Sequence, residues 1–311
     1  MRYFSRAPRI DWMSRRRAMF VISTVLIVGS LAAVLLKGLN FGIDFTGGYL
    51  VEVRYPEAVD LSEVRASLDD SEFAGAQVQY FGTRSDVLIR LAPNGQGAQD
   101  NEVRNDLLAV LSQNSPDLEV RSFAFVSSQV GDELAVDGSL AMIVALLLIL
   151  VYVSFRFEWK FSLGAVLALV HDAVVVLGYF AITGTEFDLT VLAAVLAVIG
   201  YSLNDSIVVF DRVRENFIAS RTETSAEVIN NAVNQTLART INTGLTTIVV
   251  LTALLLLGGE TIRGFATALI VGIVAGTYSS VFVASALTLM LGVSREDLLP
   301  PEQKGEIDDM P

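Results

Sequence analysis

The chain has 311 residues, of which 52% are hydrophobic, and its formal net charge is −12. The hydrophobic fraction is higher than in an ordinary soluble domain, and the negative charge argues against a nucleic-acid partner. There is no cysteine and only one histidine, which excludes a disulfide framework, a thiolate site and a multi-histidine metal centre.

The first apolar run follows a basic amino terminus, residues 1–17, with arginines at positions 2, 6, 9, 15, 16 and 17. Residues Ala18 to Leu36 carry no charge. About 20 apolar residues are enough to cross a hydrocarbon layer of roughly 30 Å, whereas the apolar core of a cleaved signal peptide is shorter. Residues 18–37 are therefore predicted to form an uncleaved first membrane span, with the amino terminus in the cytoplasm.

Residues 38–133 form one long polar segment, which lies outside the cytoplasm if the first span leads outward. Alternating or β-branched runs predict strands at 49–55, 77–81, 87–91 and 118–125, with a hairpin loop at 82–86. Helical spacing predicts helices after Asp60 and over 103–111. The resulting βαββαβ order is that of a ferredoxin-like α+β domain.

Residues 134–294 contain five further apolar segments, at 138–155, 161–185, 189–210, 240–259 and 264–294. Arg156 and Lys160 lie in one connection and Arg212, Arg214 and Arg221 in another, whereas the connection 185–188 has no positive charge. Because positive residues accumulate on the cytoplasmic side, this pattern predicts an integral membrane protein with six transmembrane helices. Both termini, including a tail at 295–311, are then cytoplasmic.

The fourth span contains a carboxylate, Asp205, within an apolar sequence. A charged aspartate near the centre of a membrane helix costs roughly 2.5 to 3.5 kcal/mol on insertion scales. Arg239 in the fifth span lies about as far from the intervening connection, so we expect the two residues at similar depth on facing helices. Two interpretations remain open: a static ion pair, or an ion-coupling carboxylate that exchanges its proton against the arginine.

Further polar residues accompany this pair and are candidates for a proton path: Asn204, Asn242, Thr243, Thr246 and Thr247. Serine and threonine hydroxyls also join membrane helices by hydrogen bonds, and that interpretation stands equally for each of them. In the third span His171 and Asp172 form a second buried polar pair, for which packing or hydrogen bonding is favoured over proton transfer.

The sixth span has small residues at intervals of four: Gly264, Ala268, Gly272 and Gly276. Such a ridge lets two helix backbones approach closely. We therefore expect these residues to pack against a neighbouring helix.

Taken together, several stretches resemble the SecF proteins of the SecD/SecF family, within the resistance-nodulation-division superfamily. They are Phe41-Gly-Ile-Asp-Phe-Thr-Gly-Gly48, Arg156-Phe-Glu-Trp-Lys160 with His171-Asp172, Gly200 to Asn216, Arg239 to Thr247, and Arg263-Gly-Phe-Ala through Gly276-Thr-Tyr-Ser-Ser280. The resemblance implies ion-driven assistance, by protons or sodium ions, to the late export of unfolded polypeptides across the bacterial inner membrane. It places the coupling carboxylate at Asp205 and its partner at Arg239.

The same resemblance implies a separate SecD partner, association with the SecYEG translocon and with YajC, and a periplasmic location for the domain at 38–133. No catalytic residue, metal or cofactor is expected beyond the transmembrane ion gradient. Two alternatives remain open from the sequence: a component of an ion-driven small-molecule exporter of the same superfamily, or a structural scaffold in which Asp205 and Arg239 only pack.

Overall fold

The computed structural model describes residues 9–92, 100–113 and 115–298. The predicted amino-terminal segment 1–17 and tail 295–311 lie partly outside the described residues. The helices and strands, in chain order, are α1 (Arg16–Lys37), β1 (Asn40–Phe41), α2 (Ile43–Thr46), β2 (Gly48–Arg54), α3 (Leu61–Asp69), β3 (Gln77–Phe81), β4 (Thr83–Leu91), α4 (Asp100–Ser112), β5 (Glu119–Val126), α5 (Ser128–Arg156), α6 (Trp159–Thr183), β6 (Glu186–Phe187), α7 (Leu189–Ala219), α8 (Ser225–Leu257), α9 (Glu260–Ser279) and α10 (Ser285–Met290).

Six helical segments in the described ranges are long and apolar enough to cross a membrane, as the hydropathy pattern predicts. They are α1, α5, α6, α7, α8 and the α9–α10 segment. α5 begins at Ser128, within the segment predicted as external. α8 begins in the connection before the fifth span and continues through that span as one helix, which starts at a capping box formed by Thr224 and Glu227.

The α+β domain that the sequence predicts to be external, called the external domain below, follows the element order β2–α3–β3–β4–α4–β5. Its four strands form an antiparallel sheet in the order β3-β4-β2-β5. Asp60 caps α3, because its side chain accepts a hydrogen bond from the Ser62 amide. The predicted hairpin loop at 82–86 is wrong: β4 already begins at Thr83, since Gly82 with φ +84° makes the turn almost alone.

Helices α7 and α9 pack closely along the small-residue ridge of the sixth span. A side chain at Gly272 would overlap Val198, and a Cβ at Gly264 would lie 2.9 Å from Val191. Gly276 lies against Ser202, at 3.0 Å from an added Cβ, and Ala268 is fully buried. Glycine at these positions therefore sets how closely α9 approaches the helix that carries Asp205.

The external domain is joined to the membrane helices by the segment that follows α1, which we call the junction (residues 40–48 with 184–189). β1 pairs in parallel with β6. Asp44 accepts a hydrogen bond from the Leu189 amide at 3.0 Å, so this residue caps α7 from a distant part of the chain. Arg90 of β4 forms an ion pair with Glu186, and burial raises the pKa of Glu186 against the opposing effect of Arg90.

Candidate functional site

Asp205 is buried on α7 and has two hydroxyl partners. Thr240 of α8 donates to Oδ1 at 2.6 Å, and Ser280 donates to Oδ2 at 2.8 Å. Three segments of the bundle therefore meet at this carboxylate, and both donors are neutral. Neutral donors can remain in place when the carboxyl group gains or loses a proton, which distinguishes this arrangement from a fixed ion pair.

The predicted contact between Asp205 and Arg239 is absent from the described part of the chain, where no ion pair joins them. The two residues do lie at similar depth, because the next residue, Thr240, bonds to Asp205. Successive helical residues point about 100° apart, so α8 turns Arg239 to the outer surface, where it is exposed. The prediction was correct in depth and wrong in the direction of the side chain.

The polar residues predicted to line a proton path beside Asp205 do not bond to that residue in the described part of the chain. Thr243, Thr246 and Thr247 each donate to the backbone carbonyl one turn earlier in α8, at 2.9 to 3.0 Å. Asn204 and Asn242 are exposed. Thr247 is half-buried, with its hydroxyl 3.4 Å from that of Tyr201 on α7. The exposed polar side chains, which we call the outward polar face of α7 and α8, are Asn204, Arg239, Asn242, Thr243 and Thr246.

Asp172, by contrast, is the centre of a second buried cluster. Its Oδ2 accepts hydrogen bonds from Ser202 of α7 at 2.6 Å and Ser279 of α9 at 2.7 Å. Its Oδ1 lies 3.0 Å from Nδ1 of His171, and both residues are almost fully buried. The hydrogen-bonding role favoured for this pair agrees with this geometry.

Ser279 and Ser280 link the two carboxylates, since adjacent hydroxyls bond to Asp172 and Asp205. Ser280 opens a π-helical turn, Ser280–Ala284, between α9 and α10. Single π turns inside α-helices are frequent at functional sites. One signal for Ser279 and Ser280 was present in the sequence, because both belong to the family-like stretch Gly276-Thr-Tyr-Ser-Ser280. A serine pair in an apolar helix does not by itself indicate a carboxylate partner.

Two family models match the chain. The model described as "Protein export membrane protein SecD/SecF, C-terminal" matches residues 106–294, and the one described as "SecD/SecF GG Motif" matches residues 32–55. The first contains Asp172, Asp205 and Arg239, whereas the second contains Asp44 and the first strand of the junction.

Curated relatives match over nearly the full chain. Protein translocase subunit SecF of Pseudomonas aeruginosa is 45% identical over 97% of this chain and 98% of its own length. The Vibrio alginolyticus protein of the same name is also 45% identical, and that of Escherichia coli O157:H7 is 39% identical over 94% of this chain and 91% of its own.

Two solved structures have the same architecture. The crystal structure of SecDF from Thermus thermophilus, described as a translocon-associated membrane protein, aligns with a TM-score of 0.79 at 37% identity. A SecDF structure in a super-membrane-facing form aligns with a TM-score of 0.72 at 38% identity. Each alignment covers 91% of this chain but 39% of the SecDF chain, so this chain spans less than half of the SecDF length.

Proposed function

This chain belongs to the SecD/SecF family of protein-export membrane proteins, and we propose that it acts as a SecF-type subunit that uses an ion gradient to promote export. In this function, the chain works with SecD to draw unfolded polypeptides across the inner membrane at a late stage of translocation. The observation that carries the proposal is Asp205, a buried intramembrane carboxylate with only hydroxyl partners. We propose a transport role and no enzymatic one.

The chemistry of Asp205 supports ion coupling. A carboxylate removed from water and without a paired cation is costly in its charged form, and protonation removes that cost. Thr240 and Ser280 can donate to the charged form, and their hydroxyls can also accept a hydrogen bond from the protonated form. A proton arriving from one side of the membrane would therefore change the contacts of α7 with α8 and the π-helical turn.

The outward polar face of α7 and α8 is the surface that we assign to SecD. Arg239, Asn242 and Asn204 are exposed on membrane-spanning helices, where contact with lipid would leave their polar groups without partners. A second membrane protein with an acidic or amide side chain at the same depth would pair them. Arg239 then remains the partner of a carboxylate, but one that belongs to the neighbouring subunit.

The external domain and the topology complete the proposal. We assign the domain to the ferredoxin-like class, supported by its βαββαβ element order and by the strand order β3-β4-β2-β5. We propose that it is periplasmic and engages the emerging polypeptide, that both termini are cytoplasmic, and that SecYEG and YajC are further partners. The distribution of arginine and lysine supports this orientation.

Asp205→Asn tests the coupling role, with Asp211→Asn as the matched control. Asp211 lies on the same helix but is only half-buried and bonds to Arg156 at 3.2 Å. In cells depleted of the wild-type chain, we expect Asp205→Asn to slow processing of a secreted reporter precursor at least tenfold, at an unchanged protein level. The control should process the precursor at the wild-type rate, and normal processing by Asp205→Asn would refute ion coupling at this residue.

The position of SecD is tested separately by cross-linking, which the absence of cysteine makes simple. Leu245 of α8 and Val25 of α1 are both exposed, at 57% and 65%. Leu245→Cys, with single cysteines scanned along SecD, should give disulfide-linked SecD, whereas Val25→Cys should not. Adducts from Val25→Cys alone would place SecD on the opposite side of the bundle.

A further inference from the structure

Asp172 has more hydrogen-bond donors around it than the packing of the helices alone would require. Three donors from three helices surround this carboxylate: Nδ1 of His171 and the hydroxyls of Ser202 and Ser279. Donors of this number stabilise the charged form of a carboxyl group. Asp172 is therefore held in place by three hydrogen bonds, whereas Asp205 has two among the described residues.

His171 has one ring nitrogen without a partner. Because the Asp172 carboxylate accepts hydrogen bonds, we assign the proton of the neutral imidazole to Nδ1, which leaves a lone pair on Nε2. Nε2 is buried and has no hydrogen-bond partner among the described residues. Buried polar atoms are nearly always paired with protein or ordered water, so this atom requires a ligand.

A second unpaired atom lies on the neighbouring helix. The hydroxyl of Ser206, one turn of α7 beyond Ser202, is also buried and has no partner in the described part of the chain. Each of these two atoms, one on α6 and one on α7, can bond to a small polar ligand such as water or a hydrated proton.

We propose that His171 and Asp172 form a second proton-binding site, separate from Asp205, in which Nε2 of His171 accepts the proton. In this step a hydronium ion transfers a proton to Nε2 and leaves as neutral water. The Nδ1–H group of the resulting imidazolium stays bonded to Asp172, so the net charge of the pair rises from −1 to 0. No other bond forms or breaks, and the step does not depend on the proposed transport role.

The surroundings suit a single titrating site. Tyr278 of α9 stacks on the imidazole, with ring centroids 6.0 Å apart, and its hydroxyl donates to the Met19 carbonyl of α1. From α1, residues 18–36 contribute no ionisable group, and the same is true of α10 and, except for Tyr152, of residues 138–155 of α5. Within the apolar spans, the other carboxylate on a packed helix is Asp205 of α7, which the Ser279–Ser280 pair connects to Asp172.

Because the chain has one histidine, ¹⁵N-histidine labelling of the full chain in nanodiscs, purified with a histidine-free tag, reports on this site alone. At pH 8 we expect the chemical shifts of the neutral Nδ1–H form, and at lower pH those of the imidazolium. Asp172→Asn should weaken proton binding at least tenfold, which moves the titration midpoint down by one pH unit or more. Asp211→Asn, the same change at a half-buried site that bonds to Arg156, should leave the midpoint unchanged.

Ser202→Ala provides a second test if Asp172→Asn does not fold. It removes one donor from Asp172, which strengthens the attraction of the carboxylate for the imidazolium, so the midpoint should move up. Opposite shifts in the two variants support the site. A histidine that remains neutral down to pH 5, that carries its proton on Nε2, or whose midpoint is the same in both variants would overturn the proposal.

Discussion

Helix α7 joins two polar regions that differ in how completely their groups are paired. At its external end, in the junction, Asp44 bonds to the Leu189 amide, Asp188 bonds to the Val191 amide, and Arg90 pairs with Glu186. Deeper in the membrane, the cluster around Asp172 and Asp205 leaves the His171 Nε2 and Ser206 Oγ atoms without partners. In the junction, Nε of Arg90 is likewise buried without a partner among the described residues, but the ion pair and the backbone caps hold that region in place; the unpaired groups of the cluster leave room for an ion or a water molecule to arrive and depart.

This difference has a mechanical consequence. The junction fixes the start of α7 to the external domain, because β1 pairs with β6 and the Phe41, Phe45 and Phe187 rings contact one another. If protonation at Asp205 shifts α7, the external domain moves with the helix. The proposal that ion binding acts on a polypeptide outside the membrane depends on this rigid attachment.

The largest effect is expected from filling the junction. Gly42 lies against Asp188, at 3.2 Å from an added Cβ, and still closer to the Glu186 carboxylate. Gly42→Ala should therefore destabilise the protein by up to about 3 kcal/mol, as overpacking does. Gly29→Ala on α1, where nothing lies within 4 Å, should have little effect in the same thermal unfolding measurement in nanodiscs. Equal unfolding temperatures for the two variants would show that the junction can rearrange around the added methyl group at little cost in stability.

Two serines on α7, Ser202 and Ser206, test how the groups are paired in the cluster around Asp172 and Asp205. Ser202→Ala removes a hydrogen bond to the Asp172 carboxylate and should cost about 1.5 kcal/mol. Ser206→Ala removes a hydroxyl without a protein partner and should cost almost nothing. Both serines are fully buried, so cavity formation is matched between them. Denaturation of the two variants in mixed detergent measures the difference, and equal losses would mean that Ser206 is paired in the protein.

The contrast between these regions also explains which parts of the structure the sequence predicts. Asp60, the strand Gln77–Phe81 and the apolar spans were predictable because capping, alternation and span length are local properties. The direction in which the Arg239 side chain points was not predictable, because it depends on the rotation of α8 about its own axis. That rotation is set by tertiary packing, in which Gly244 lies against Ile273 and Thr277 of α9.

The hydroxyl partners of Asp172 illustrate the same limit. Ser202 and Ser279 lie on different helices, far apart in the sequence, and either could have bonded to its own backbone as Thr243 does. Only the close approach of α7 and α9, permitted by Gly272 and Gly276, brings both hydroxyls to one carboxylate. The small-residue ridge was visible in the sequence, but the chemistry that it permits was not.

The smallest expected effect is on stability and comes from Asp86, a paired carboxylate in the external domain. This effect depends on pH. Hydrogen bonds from Arg54 and Thr83 hold the pKa of Asp86 well below its usual value. Between that lowered pKa and about 3.9, its value in an unfolded chain, the unfolded state binds more protons. The contribution of Asp86 to stability is therefore complete above the unfolded pKa and is lost as the pH falls through the folded one.

Hydrogen exchange of the β2 and β4 amides in the full chain measures this contribution, with wild type and Asp86→Asn compared at the same pH. We expect faster exchange in Asp86→Asn at pH 6 and a difference that begins to shrink towards pH 3, since below about pH 3.9 the unfolded chain binds a proton at Asp86 that the folded protein does not. Glu72→Gln, a change at an exposed carboxylate, should match wild type throughout. A difference in exchange rate that stays constant with pH would mean that Asp86 acts through packing. The charge of Asp86 would then not contribute to the stability of the external domain.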